Sequence, residues 1–108
     1  MSVLKAKNIY SEIPTSLKEE FFEILQSSES IKIERIVSYG HTTREGEWYD
    51  QEQNEWVILL SGEAILSFLH EDEVRLKAGE YINIPAHQKH RVSWTMPNQQ
   101  SVWLVIHY

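Results

Sequence analysis

The chain is expected to fold as one small all-β domain, an antiparallel sandwich or barrel with a short N-terminal helix. Three features carry that expectation. Beyond Glu29 the apolar residues recur in short runs with a period of two, the pattern of strands with one buried face. Turn residues interrupt those runs at intervals of roughly eight to twelve residues, as they do in sandwiches and barrels. No helical pattern separates one run from the next, which argues against a parallel α/β sheet.

Before Glu29 the period is different. In PTSLKEEFFEILQSS, Pro14 stops what precedes it, Ser16 can cap a helix, and Glu19 three residues on completes a capping box. Leu17, Phe21, Ile24 and Leu25 then share a face, which predicts a helix from Leu17 to Gln26. Residues 1–29 thus read as a strand-and-helix extension packing on the barrel, and residues 30–108 as the barrel. The first barrel strand alternates Ile31, Ile33, Val37 and Tyr39 with Lys32, Glu34 and Ser38, and Gly40 ends it. His41 to Glu47 is a polar loop. EWVILL closes at Ser61-Gly62, EAILSFL at His70-Glu71-Asp72, and EVRL at Ala78-Gly79. YINIP ends on its proline, RVSWT precedes a turn at Pro97-Asn98, and SVWLVIHY is the last strand.

Composition narrows the function classes. A length of 108 residues fits one domain, and a hydrophobic share of 42% is that of a globular chain rather than a disordered one. A net charge of −6 with no basic run argues against nucleic acid and anionic membrane as partners. No apolar run approaches the roughly 20 residues of a membrane-spanning helix. The opening MSVLKAKNIYSEIP lacks the apolar centre of a signal peptide, so the cytoplasm is the expected location. Without cysteine, disulfides and thiolate metal sites are excluded.

The chemistry concentrates in two segments. Glu55 is followed by six residues and Gly62; Gly79 is followed by five residues and Pro85, then four residues and His90. Together and in this order, over roughly residues 35–106, they resemble the two motifs of the cupin superfamily. The resemblance implies a jelly-roll β-barrel. It also implies one divalent metal ion inside it, held by a His-x-His pair and a Glu from the first motif and a His from the second. Glu55 matches the Glu, and His90 the last His. The His-x-His pair is missing: its two alternative spacings land on Tyr49 and Gln51, or on Trp48 and Asp50. Asp50 and Gln51 remain alternative oxygen ligands, and an oxygen-rich site with one imidazole suits Mn, Fe or Zn. His87 stands where the second motif usually has Gly, which is expected to alter the turn at the barrel mouth.

The residues support a site without the family. Glu55, Val57 and Leu59 share one face of their strand, and a Glu facing a core is costly unless paired or metal-bound. Arg35 has the parity of Ile33 and Val37; if that face points into the barrel, it can bind an anionic substrate, and otherwise it is an edge or salt-bridge residue. Tyr49 is a second candidate for substrate binding, with core packing as its plainer role. Asp50 is equally a turn residue. His41 is either a lid or fourth ligand swinging over the mouth, or an exposed loop residue. His70, His87 and His107 show no ligand spacing and are expected to be structural or solvent-facing.

The expected function is that of a small metal-binding cupin. The resemblance implies a metal-dependent enzyme of the dioxygenase or sugar isomerase/epimerase type, acting on a small molecule inside the barrel. The alternatives are a non-catalytic module that binds or senses a small ligand, and a packed scaffold. The expected partners are that small molecule and a second copy of the chain. The homodimer would pair sheet edges, with exchange of a strand at KAKNIY.

Overall fold

The computed structural model describes residues 4–108. Its strands are β1 (Phe21–Ser27), β2 (Lys32–Tyr39), β3 (Glu55–Ser61), β4 (Glu63–Phe68), β5 (Val74–Lys77), β6 (Tyr81–Ile84), β7 (His90–Thr95) and β8 (Gln100–His107). They form a five-stranded sheet in the order β1-β2-β8-β3-β6 and a three-stranded sheet in the order β5-β4-β7, with every pairing antiparallel. All-β with two facing sheets is the architecture of a jelly roll. The seven runs read as strands in the sequence are all strands.

The expected helix is absent. Residues 4–20 form neither helix nor strand, and the segment Leu17 to Gln26 runs into β1 instead. The capping box and the apolar stripe are real features of the sequence, but a helix of that length is marginal in isolation. The open edge of β2 offers Phe21–Ser27 a run of backbone partners, from Phe21 opposite Val37 to Ser27 opposite Lys32. Phe21, Phe22 and Ile24 suit a strand at least as well as a helix, so tertiary pairing overrides the local pattern. A register shift between Ile24 and Gln26 bends the end of this edge strand.

The core lies between the sheets and is built from Val57, Leu59, Ala64, Leu66, Leu76, Ile84, Trp103 and Val105. On β3 the buried face is Glu55, Val57 and Leu59, as its parity required. Gly62 turns the chain from β3 into β4 at φ +87°, and a Cβ there would sit 2.8 Å from the Ser101 Cα. Among the described residues no helix is long and apolar enough to cross a membrane.

The two faces of β2 divide their work. Glu34 and Ile36 face the space between the sheets, whereas Arg35 faces outward beneath the N-terminal segment. The condition for a substrate role of Arg35, that its face of β2 points into the barrel, is therefore not met. Arg35 is 3% exposed. Its Nη1 donates to the carbonyls of Ile9 (3.0 Å) and Ser11 (2.6 Å), and its Nη2 lies 2.8 Å from the Glu23 carboxylate. The guanidinium thus fastens an otherwise irregular segment to the back of the sheet.

Candidate functional site

The sheets leave a cavity of about 80 Å³ between them. Most of its wall is apolar, with Ile36, Val57, Leu66, Ile84, Val92, Trp103 and Val105. Its polar groups are Glu20, Glu34, Tyr49, Gln51, Glu55, His90 and His107. The space holds a few waters, or an ion with a very small ligand. Among the described residues no Lys or Arg lines it.

The strand registers explain how these groups meet. Glu55 opens β3 and is directly opposite His107 near the end of β8, on the same face. Glu34 on β2 is opposite Val105, hence diagonal to His107 on that face. His90 opens β7 in the other sheet and bridges to Tyr49, whose N–H donates to the His90 carbonyl at 2.8 Å. The rings of Tyr49 and Phe68 flank the imidazole, with centroids 5.7 and 6.2 Å away.

The segment that carries Gln51 is tied down on both sides. Its main-chain carbonyl accepts from the His87 N–H at 2.8 Å, and Asn54 exchanges main-chain bonds with Tyr108. This anchoring turns Gln51 inward and Asp50 outward. Gln51 lines the cavity, and its Oε1 is buried without a protein hydrogen-bond partner. Asp50 is exposed, with its carboxylate 3.0 Å from His87 Nδ1 at the surface. Of the two alternative spacings, the structure places Tyr49 and Gln51 beside Glu55 and His90. His87 itself adopts φ +64°, the left-handed conformation that a glycine at that motif position would supply.

Hydrogen bonding fixes which imidazole nitrogens carry protons. His90 Nδ1 lies 2.9 Å from the Gln88 carbonyl, which can only accept, so Nδ1 is the donor and Nε2 is left facing the cavity. His107 Nε2 lies 3.2 Å from the Glu34 carboxylate, so Nε2 donates and Nδ1 faces inward. The inward nitrogens meet the two oxygens of one carboxylate. His90 Nε2 is 3.5 Å from Glu55 Oε2, and His107 Nδ1 is 3.7 Å from Glu55 Oε1. These separations are long for hydrogen bonds. In the neutral imidazoles these two inward nitrogens are acceptors, as is the Gln51 Oε1 that lines the same cavity. The two inward nitrogens thus approach one carboxylate in an apolar wall, an arrangement that calls for a proton or a cation. Burial opposes a charge on His90, but the Glu55 carboxylate and the Gln88 carbonyl outweigh it and hold its pKa above the ordinary histidine value.

These donors fit a divalent cation in kind: a carboxylate, imidazole nitrogens and an amide oxygen. Among the described residues, no three His, Cys, Asp or Glu side chains are gathered into a ready chelate. They approach in pairs, Glu55 with each histidine.

At the mouth, Glu20 reaches in from the segment before β1 and accepts from the Ser38 hydroxyl at 3.1 Å. Burial raises its pKa, with the Ser38 bond and the nearby His41 acting against that rise. Burial also raises the pKa of Tyr49, as do the carboxylates of Glu20, Glu47 and Glu55, so its hydroxyl stays protonated. Sequence reasoning missed three of these groups. His107 carried a signal, since Trp103, Val105 and His107 share the parity of a buried face. Glu34 and Glu20 carried none, because their roles depend on strand order and on the path of an irregular segment.

The sequence profile of the Cupin domain family matches residues 35–107. A solved structure from Ralstonia eutropha JMP134, of a protein provisionally named a mannose-6-phosphate isomerase, is 35% identical. The match covers 96% of this chain and 97% of that one, with a TM-score of 0.92. An RmlC-like cupin family protein from Methanocaldococcus jannaschii aligns over 99% of this chain and 92% of its own, at 18% identity and a TM-score of 0.72. A protein from Thermus thermophilus aligns over 96% of each chain, also at 18% identity, with a TM-score of 0.77. At that identity the likeness is one of fold. No match is found among curated proteins.

Proposed function

The chain belongs to the cupin domain family, and from that premise we propose that its cavity binds a divalent cation together with a small, uncharged, oxygen-bearing molecule. The observation that carries the reading is the approach of His90 Nε2 to a Glu55 oxygen, 3.5 Å apart, in a cavity also lined by Gln51 with its unpartnered Oε1. Glu55 and His90 occupy the metal-ligand positions of the family motifs, and Gln51 stands where the second histidine of the missing pair would be. A bound divalent ion supplies Lewis acidity to a ligand oxygen.

The chain's own residues do the rest. The apolar wall excludes bulk water and strengthens every polar interaction inside. Tyr49, protonated at neutral pH, offers a hydroxyl donor at the mouth. Glu20, with its raised pKa, is suited to exchange a proton with a ligand entering past it. These groups fit metal-assisted acid–base chemistry better than phosphate handling. Three carboxylates line the cavity, and among the described residues no Lys or Arg does, so a phosphorylated sugar would meet repulsion. The activity in the name of the Ralstonia protein is for that reason not carried over to this chain. The exposed edge strand β1, with Phe22 and Ile24 about half exposed, supports pairing with a second copy of the chain.

Calorimetric titration with Mn²⁺, Zn²⁺ and, without oxygen, Fe²⁺ tests the reading. Near-stoichiometric uptake by the wild type, lost in Glu55→Ala and His90→Ala, is the expected result. A folded wild type that takes up none of the three ions overturns it.

A further inference from the structure

We propose that His107, near the end of the last strand, supplies through Nδ1 the imidazole ligand that the first motif lacks, and that Glu34 orients it. The inference rests on the reading of the cavity as a cation site and adds to it a ligand from outside both motifs.

Register makes the placement obligatory. His107 is the residue of β8 directly opposite Glu55, and opposed residues in an antiparallel pair project to the same side. A one-residue slip would turn it out of the cavity. His107 is 6% exposed and lines the same cavity as Gln51 and His90.

Glu34 then decides what the ring presents. Its carboxylate accepts a hydrogen bond from the Nε2–H at 3.2 Å, which leaves the Nδ1 lone pair turned toward Glu55. A carboxylate behind the outer nitrogen of an imidazole is the arrangement that fixes the tautomer of metal-binding histidines and raises their basicity. His90 is set up in parallel, with the Gln88 carbonyl behind Nδ1. Two imidazoles, oriented from opposite sides, thus aim lone pairs at one carboxylate.

The distances from each imidazole to Glu55 lie at or just beyond the range between neighbouring ligands of one ion. Bond lengths of about 2.0–2.2 Å place neighbouring ligand atoms roughly 2.9–3.5 Å apart around one ion. His90 Nε2 to Glu55 Oε2 is 3.5 Å and His107 Nδ1 to Glu55 Oε1 is 3.7 Å. The competing account is a buried Glu34–His107–Glu55 ion-pair chain with no ligand role. In that case His107 would matter for stability and be indifferent to the ion.

Nitrogen-15 NMR of the histidine rings during Zn²⁺ titration of the wild type separates the two. The expected result is a metal-bound shift at His107 Nδ1 as well as His90 Nε2. In calorimetry, Zn²⁺ affinity should fall at least tenfold in His107→Ala. For Glu34→Gln, which keeps an acceptor behind the ring but removes its charge, the expected loss is about 10–100-fold. Zn²⁺ bound with only the His90 resonance shifted, and affinity unchanged in both variants, overturns the role of His107 while leaving the cation site standing. A wild type that binds no Zn²⁺, Mn²⁺ or Fe²⁺ overturns both. Should His107→Ala fail to fold, the wild-type spectrum decides by itself.

Discussion

Glu55 and His107 face one another across the β3–β8 ladder, with Oε1 3.7 Å from Nδ1, and both are buried. A carboxylate in that position, with a second imidazole on its other oxygen, is a local conflict unless positive charge joins it. Binding of a divalent ion should therefore stabilise the fold. At a free ion concentration about 100-fold above Kd the gain is about 2.7 kcal/mol. For a domain of about 100 residues that is a rise in Tm on the order of 10 °C. Differential scanning calorimetry with Zn²⁺ and then with excess chelator checks this. The shift should vanish with chelator and be absent from Glu55→Ala.

The turn at His87 holds a non-glycine residue at φ +64°. Left-handed backbone costs an L-residue roughly 1–2 kcal/mol. The exposed contact with Asp50 returns little of that. His87→Gly is expected to be neutral to stabilising, by up to about 1 kcal/mol after the entropy of glycine in the unfolded chain is counted. Chemical denaturation reads the change, and a loss of more than about 1 kcal/mol would show that the His87–Asp50 contact matters more than the backbone.

Gly62 presents the opposite case. Its φ of +87° disfavours any side chain, and an added Cβ would meet the Ser101 main chain at 2.8 Å. Because β3 and β8 are neighbours in the sheet, relief would require prising apart the strands that carry Glu55 and His107. Gly62→Ala should cost more than about 3 kcal/mol, beyond the usual range for a point change, and should be visible as poor soluble yield or a greatly lowered Tm.

Parity and spacing were the legible part of this protein. The alternation in EWVILL placed Glu55 inward with Val57 and Leu59, and the two spaced motifs brought Glu55 and His90 to one site. What stayed hidden depends on information that alternation does not contain. Arg35 shares the parity of Ile33 and Val37, but parity alone does not say which face of β2 looks into the barrel. Asp50 and Gln51 differ by one residue in a segment whose orientation is set by bonds to His87 and Tyr108, far away in sequence. The pairing of His107 with Glu55 follows from β8 lying beside β3, a long-range choice. The helix failed because a local 3.6-residue pattern competed with an open strand edge that only the folded sheet provides.

The N-terminal segment should depend on one side chain. Arg35 is the anchor for the carbonyls of Ile9 and Ser11 and pairs with Glu23. Arg35→Ala removes these charge-assisted bonds and is expected to cost about 1–3 kcal/mol. Hydrogen exchange should accelerate over residues 4–20, while β3 and β8 keep their protection. Because Arg35 faces away from the cavity, ion affinity should be unchanged. A change in affinity without a change in exchange would contradict this placement.

Glu20 gives the fold a pH dependence of definite sign. Burial is the main cause of its raised pKa, and the Ser38 hydroxyl and His41 offset it only in part. The folded state then holds the Glu20 proton to higher pH than the unfolded state does, so stability from this residue falls as pH rises. The contribution is complete below the ordinary value of 4.5 and is lost as pH climbs through the raised folded value. Once ionised, the carboxylate is therefore a net liability in its half-buried place. Glu20→Gln keeps an oxygen to accept from Ser38 and removes the ionisation. It should raise Tm at pH 7, and the advantage should shrink to nothing near pH 4. Paired thermal melts of the two proteins across that range cancel the titration of all other groups. A difference that does not change with pH would mean that Glu20 titrates alike in the folded and unfolded chain.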